Sequence, residues 1–146
     1  MIRPAIPAER QALEALQLRA SLGNEGDRET LLRHPDAIDL PLEQIIAGAV
    51  FVLEQDGAVA GFSAIMARED GDTELDALFV EPGIQRQGVG RRLVEHCAEI
   101  ARSKGSTTLH VVGNPHAEQF YLACGFCTIG NFETRFGPGL LMRLPL

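Results

Sequence analysis

Leu78-Phe79-Val80-Glu81-Pro82-Gly83-Ile84-Gln85-Arg86-Gln87-Gly88-Val89-Gly90-Arg91-Arg92-Leu93 reads as a strand that passes through a proline-containing loop into a glycine-rich helix start. The first turn of a helix presents N–H groups with no intrahelical partner, together with the positive end of the helix dipole. Glycines let an anion approach that backbone closely, and Arg86 or Arg91 can add charge, so the segment is a candidate phosphate site. A structural reading stands beside it, in which Gly88 and Gly90 only let the helix pack tightly on the strand. Two other phosphate loops do not fit. A dinucleotide fingerprint needs a third glycine where Leu93 stands, and a Walker loop needs a Gly-Lys-Ser or Gly-Lys-Thr that the chain lacks.

Upstream of this stretch, Ile2 to Ala5 is a short strand and Pro7 to Ala20 is helical, with Leu13, Leu16 and Ala20 at helical spacing. Ser21 to Leu40 loses periodicity and reads as a substrate-side loop, ending at Pro41 before a short helix, Leu42 to Gly48. Ala49 to Glu54 and Ala58 to Met66 are apolar runs joined by Gln55-Asp56-Gly57, a hairpin signal. Glu69 to Asp72 marks a turn, and Thr73 to Val80 alternates before becoming nearly all apolar, as a central strand does.

Downstream, Gly88 to Lys104 carries Val89, Leu93, Cys97, Ile100 and Ala101 on one helical stripe, closed by Gly105. Thr107 to Val112 is a β-branched strand. Asn114 can cap a helix with Pro115 at its first position and Ala117, Phe120, Tyr121 and Cys124 on one face. Phe126 to Glu133 and Leu140 to Leu144 are the last strands, with a turn at Gly137 to Gly139.

Composition narrows the function classes. At 146 residues and 45% hydrophobic content, residues 1–146 suit a single domain built around one sheet. No apolar run approaches the roughly 20 residues of a membrane span, and the N-terminus lacks a signal-peptide core. A net charge of −7 argues against nucleic-acid binding, so an anionic ligand needs a local basic site, and Arg86, Arg91 and Arg92 form the densest one. Cys97, Cys124 and Cys127 are odd in number and irregular in spacing, which fits a reducing cytoplasm better than a disulfide framework. Cys124 and Cys127 form a lone C-x-x-C without a second pair, and no two histidines have metal-ligand spacing, so no metal is expected.

Gln85 to Gly90 matches the form Gln/Arg-x-x-Gly-x-Gly/Ala, and Asn114-x-x-Ala117-x-x-Phe120-Tyr121-x-x-x-Gly125-Phe126 follows after the next strand. With these two segments the chain resembles the GNAT family of N-acetyltransferases. The resemblance covers essentially the whole chain and implies an α/β (α+β) fold. Its central sheet is mixed and mostly antiparallel, with six to seven strands, helices on both faces and the order β-α-α-β-β-β-α-β-α-β-β. It also implies acetyl-CoA as co-substrate. Backbone N–H groups from Gln87 through Gly88, Val89 and Gly90 to Arg91 should hold the pyrophosphate, with Gln85 and Arg86 lining the loop. Leu78, Phe79 and Val80 should pair with the pantetheine arm like an added strand, beside a bulge that splays this strand from the next. Asn114 should contact the arm from the other side, with Phe120 packing nearby.

The chemistry sets its own requirements. An amine with a pKa near 10 must lose a proton before it attacks a thioester, and a carboxylate can accept that proton. Glu74 and Asp76 share one strand face with Leu78 and Val80 by period two and are the candidates, against the plain reading of solvated carboxylates. Some family members carry a glutamate about where Glu74 lies, and Asp76 is nearer the thioester. The departing thiolate needs an acid, and Tyr121, the only tyrosine, stands where the family places it; the alternative is a core aromatic beside Phe120. The N–H of Val80 or Phe79 is the natural oxyanion donor. The leading expectation is direct acetyl transfer in a ternary complex. A coenzyme A-binding or sensing module without catalysis and an unrelated nucleotide binder are the other readings. The acceptor, a small-molecule amine or a protein amine, is left open, as is the acyl chain. Related folds imply a homodimer contact through the last strands and the 132–140 segment.

Overall fold

The computed structural model describes residues 1–23 and 25–146. Seven strands run in the order β1-β2-β3-β4-β5-β7-β6 across one sheet, which is mostly antiparallel. The chain divides into two compact units, Met1–Ala64 with Ala77–Leu93 and Ile65–Asp76 with Val94–Leu146.

In the first unit β1 (Ile2–Pro4) pairs antiparallel with β2 (Val50–Gln55), which turns through Asp56 and Gly57 into β3 (Ala58–Ala67). Both turn residues have positive φ, 54° and 80°, as a two-residue hairpin requires. A register shift after Leu53 bulges β3 at Ala60 and breaks strict alternation. On one sheet face Val50, Val52, Phe62 and Ala64 pack with Leu13 and Leu16 of α1 (Arg10–Leu22) and Ile45 of α3 (Leu42–Ile46). On the other face Leu53 and Ala60 pack with Val89 and Leu93 of α4 (Val89–Ser103). Each fully buried leucine of this kind contributes roughly 1.5–3 kcal/mol.

The stretch expected as a loop, Ser21 to Leu40, contains a helix, α2 (Glu25–Arg33), and a 3₁₀ turn, Pro35–Ala37; residue 24 lies outside the described residues. The signal was absent because the helix buries little: Leu32 is 78% exposed. The end of the stretch is fastened to α1, where Arg10 Nε donates to the Leu40 carbonyl at 2.7 Å and the Leu40 N–H donates to Glu14 at 2.9 Å.

In the second unit α4 closes as anticipated. Gly105 has φ 86°, the Gly105 N–H bonds Arg102 O, and the Ser106 N–H bonds Ala101 O, the paired bonds of a Schellman cap. β4 (Thr73–Val80) pairs in parallel with β5 (Thr108–Gly113) over Thr73 to Leu75, and β5 pairs antiparallel along all six residues with β7 (Gly137–Pro145). A 3₁₀ turn, Pro115–Ala117, leads into α5 (Glu118–Ala123), followed by β6 (Cys127–Thr134).

Gly137 to Gly139 is not the last turn. The turn is Arg135-Phe136, and the glycines belong to β7. Thr134 supplies the turn chemistry: its hydroxyl donates to Gly137 O at 2.6 Å and accepts from the Phe136 N–H at 3.1 Å. Pro138 is tolerated because it pairs with Glu133 before the β5 ladder begins at Leu140.

Candidate active site

The end of β4 sits between two apolar layers of the first unit. Ala77 and Phe79 face the α1 side, with the Phe79 and Phe62 rings 5.6 Å apart, and Leu78 and Val80 face Val89 and Leu93 of α4. Gly61 makes this packing feasible. A Cβ there would stand 2.8 Å from Phe79 O, 3.1 Å from Val89 and 3.3 Å from Leu93, so only glycine lets β4 and α4 approach this closely. Sequence reasoning passed over it; the available signal was a glycine inside an apolar strand.

Beyond Val80 the loop is anchored at Glu81, whose N–H donates to Ala60 O at 2.8 Å. Gly83, Arg86 and Gly88 then take left-handed conformations with φ of 92°, 71° and 81°. For Arg86 this costs about 1–2 kcal/mol, a strain that clusters at ligand loops. A Cβ at Gly88 would meet nothing within 4 Å, so packing does not require this glycine; its backbone conformation does, and the space beside it is open. The first bond of α4 runs from the Arg92 N–H to Gly88 O. The N–H groups of Val89, Gly90 and Arg91 therefore lie in the first turn, where the helix offers no carbonyl of its own. Gln85, Arg86, Gln87, Arg91 and Arg92 are all exposed around this start.

The remaining predicted residues lie in the second unit. Tyr121 is buried, its ring edge-on to Phe120 at 5.2 Å and to Phe126 at 5.4 Å, with a Cβ at Gly113 predicted to fall 3.1 Å from it. Burial pushes its phenol well above the ordinary value, so it is neutral throughout the physiological range. Asn114 is exposed at the N-cap of the Pro115 turn, where its carbonyl accepts the Ala117 N–H and its side chain makes no capping bond.

Thr73 and Leu75 are buried while Glu74 is half-buried and Asp76 exposed, the expected alternation. Glu74 is paired with Arg68 at 3.3 Å, and Arg68 also binds Asp70. Asp72 accepts the N–H groups of Thr107 and Thr108, the Thr107 hydroxyl, and lies 3.0 Å from His110 Nε2. Chiefly through His110, its carboxyl is lowered to about 2. Asp70, Asp72 and His110 converge closely enough to surround an ion, a grouping that sequence spacing missed because β5 brings His110 in from 38 residues away. Their acceptor atoms already serve Arg68, the turn backbone and β5.

The acetyltransferase (GNAT) family model matches residues 14–126. The chain belongs to this family. Among curated relatives, peptidyl-lysine N-acetyltransferase YjaB of Salmonella typhimurium is 37% identical over 84 residues, 58% of this chain and 52% of the relative. The ribosomal protein bS18-alanine N-acetyltransferase of Escherichia coli is 35% identical over 79 residues, 52% of this chain and 53% of the relative. The chain thus spans about half the length of each. Among solved structures, the PaiA N-acetyltransferase of Thermoplasma acidophilum in complex with coenzyme A aligns with a TM-score of 0.80 at 17% identity, covering 100% of this chain and 98% of that one. A GCN5-related N-acetyltransferase from Rhodopseudomonas palustris gives 0.79 at 18% identity, covering 100% and 95%. These two likenesses establish the GNAT fold. Among the described residues no helix is long and apolar enough to cross a membrane.

Proposed function

We propose that residues 1–146 act as one acetyl-CoA-dependent N-acetyltransferase domain that moves an acetyl group to a primary amine by direct attack. The observation that carries this reading is the start of α4: an open, left-handed Gly88 ahead of a 15-residue helix, ringed by Arg86, Arg91 and Arg92 in a chain of net charge −7. Such a site suits a pyrophosphate, held by the N–H groups from Gln87 to Arg91 with Gln85 lining the loop. Bound acetyl-CoA would supply the thioester acyl donor. Leu78, Phe79 and Val80 offer main chain to its pantetheine arm, and the β4–β5 ladder stops before Asp76. Asn114 and Phe120 are assigned to the arm's other side on the family pattern.

Tyr121 enters the reaction as a neutral phenol. Its O–H stabilises negative charge developing on the departing sulfur; the further its pKa lies above that of a thiol, the more this contribution is a hydrogen bond and the less a completed proton transfer. Glu74 or Asp76 accepts the proton from the amine, and the Phe79 or Val80 N–H steadies the carbonyl oxygen. The names of the relatives suggest a protein amine as acceptor, and a small-molecule amine is the other class. A homodimer contact through β6 and β7 is supported by the exposure of Ile129 (50%) and Phe132 (51%) on the last strand in the sheet order.

The test is thiol release from acetyl-CoA with three acceptor classes, namely polyamines, a lysine-containing peptide and a peptide with N-terminal alanine, each product checked by mass. Transfer to one class, strongly reduced in Tyr121→Phe, supports the proposal. Acetyl-CoA binding without transfer to any class would favour a coenzyme A-binding module instead.

A further inference from the structure

Glu81 is held at three points. Its N–H donates to Ala60 O at 2.8 Å, its carbonyl accepts the Ile84 N–H at 3.4 Å, and its carboxylate receives Arg19 Nε at 2.8 Å and Arg19 Nη2 at 2.7 Å. Arg19 lies on α1, 62 positions earlier in the chain. After Glu81 come three left-handed residues, Gly83, Arg86 and Gly88, before α4 begins. A loop with two glycines and a strained arginine in left-handed conformations takes its shape from its fixed ends, which are the helix start at one side and Glu81 at the other. Isolated exposed ion pairs contribute little. This one is a two-pronged arginine fork on a carboxylate that is 29% exposed, the geometry in which such a pair fixes orientation. The pair also covers a negative charge at the entrance to a loop that carries Arg86, Arg91 and Arg92. Arg19 holds the Glu81 carboxyl below its usual range.

We infer that Arg19 is a positioning residue for acetyl-CoA, acting through Glu81 to set the shape and charge of the cofactor loop. This rests on the acetyl-CoA reading above. Helix α1 thereby takes part in cofactor affinity.

The experiment is calorimetric titration of acetyl-CoA into the wild type, Arg19→Met, Glu81→Gln and the double variant, with thermal melting of each in the absence of ligand. The expected result is that each single variant raises Kd roughly two- to fivefold, the range an exposed pair can supply. The double variant then binds no more weakly than Arg19→Met, because the two residues act as a unit. Ligand-free melting stays at the wild-type value. Wild-type Kd in the single variants, losses that multiply in the double variant, or lowered melting with unchanged Kd would each overturn the inference. A folded wild type that binds no acetyl-CoA would overturn the acetyl-CoA reading itself and this inference with it.

Discussion

Gly71 and Gly88 stand before and after β4 with nearly the same backbone, φ 89° and 81°, and a Cβ at either would meet nothing within 4 Å. Their surroundings differ in kind. Around Gly71 polar groups satisfy one another: Arg68 holds Asp70, Asp72 gathers Thr107, Thr108 and His110, the Thr73 and Ser106 hydroxyls meet at 2.8 Å, and Gly71 O accepts from Ser106. Around Gly88 the chain presents a helix start and exposed arginines. A left-handed glycine is therefore no functional signal by itself; the signal is the helix start and the exposed arginines next to it.

The largest effect should come from putting the same side chain at both places. Gly88→Glu and Gly71→Glu share the left-handed strain, about 1–2 kcal/mol each. Titration should find acetyl-CoA binding abolished in the first and kept in the second. Equal loss in both would erase the distinction between the two ends of β4.

Next in size, Tyr121→Phe should lower kcat roughly 100-fold with little change in KM for acetyl-CoA, as removal of an acid that acts only as the sulfur departs predicts. Because burial raises the phenol above its ordinary value, the wild-type kcat should show no alkaline limb from Tyr121 at or below pH 10. A limb that Tyr121→Phe removes would show that the tyrosine ionises during turnover.

Gly61→Ala tests the packing beneath the site. With Phe79 O only 2.8 Å from the added methyl, backbone must shift, at a cost of roughly 1–3 kcal/mol, visible in denaturant unfolding. Wild-type stability in that variant would mean that β4 and α4 do not need this close approach.

The smallest effect concerns the start of β4. The Asp72 carboxyl is lowered from 3.8 to about 2, so its stabilisation is complete above pH 3.8 and is lost as pH falls towards 2. Asp72→Asn should flatten that part of the stability curve and leave acetyl-CoA affinity at pH 7 unchanged. An unaltered curve would mean that the carboxylate is not held by His110 and the Thr107 and Thr108 amides.

The elements legible in the sequence are those that local chemistry sets. The limits of β4, the Schellman glycine of α4 and the Asp56-Gly57 hairpin are each set by residues within a few positions. Helix α2 leaves no apolar stripe because it buries little, with Leu31 half-buried and Leu32 exposed, and the final turn is shaped by Thr134 rather than by a glycine. Arg19 with Glu81, and Asp72 with His110, join residues 62 and 38 apart. Only the tertiary fold brings them together, and no spacing rule could have paired them. Gly61 was legible as an oddity, but its reason, the carbonyl of Phe79, belongs to another strand.

The central claim is that acetyl-CoA is held by the backbone that ends β4 and begins α4. The most direct measurement is amide-resolved NMR during titration of the wild-type protein with acetyl-CoA. The account predicts saturable shifts at the N–H groups of Phe79 and Val80 and from Gln87 to Arg91, with Thr107 and Thr108 unmoved. Saturable binding that leaves Gln87 to Arg91 unshifted would contradict it.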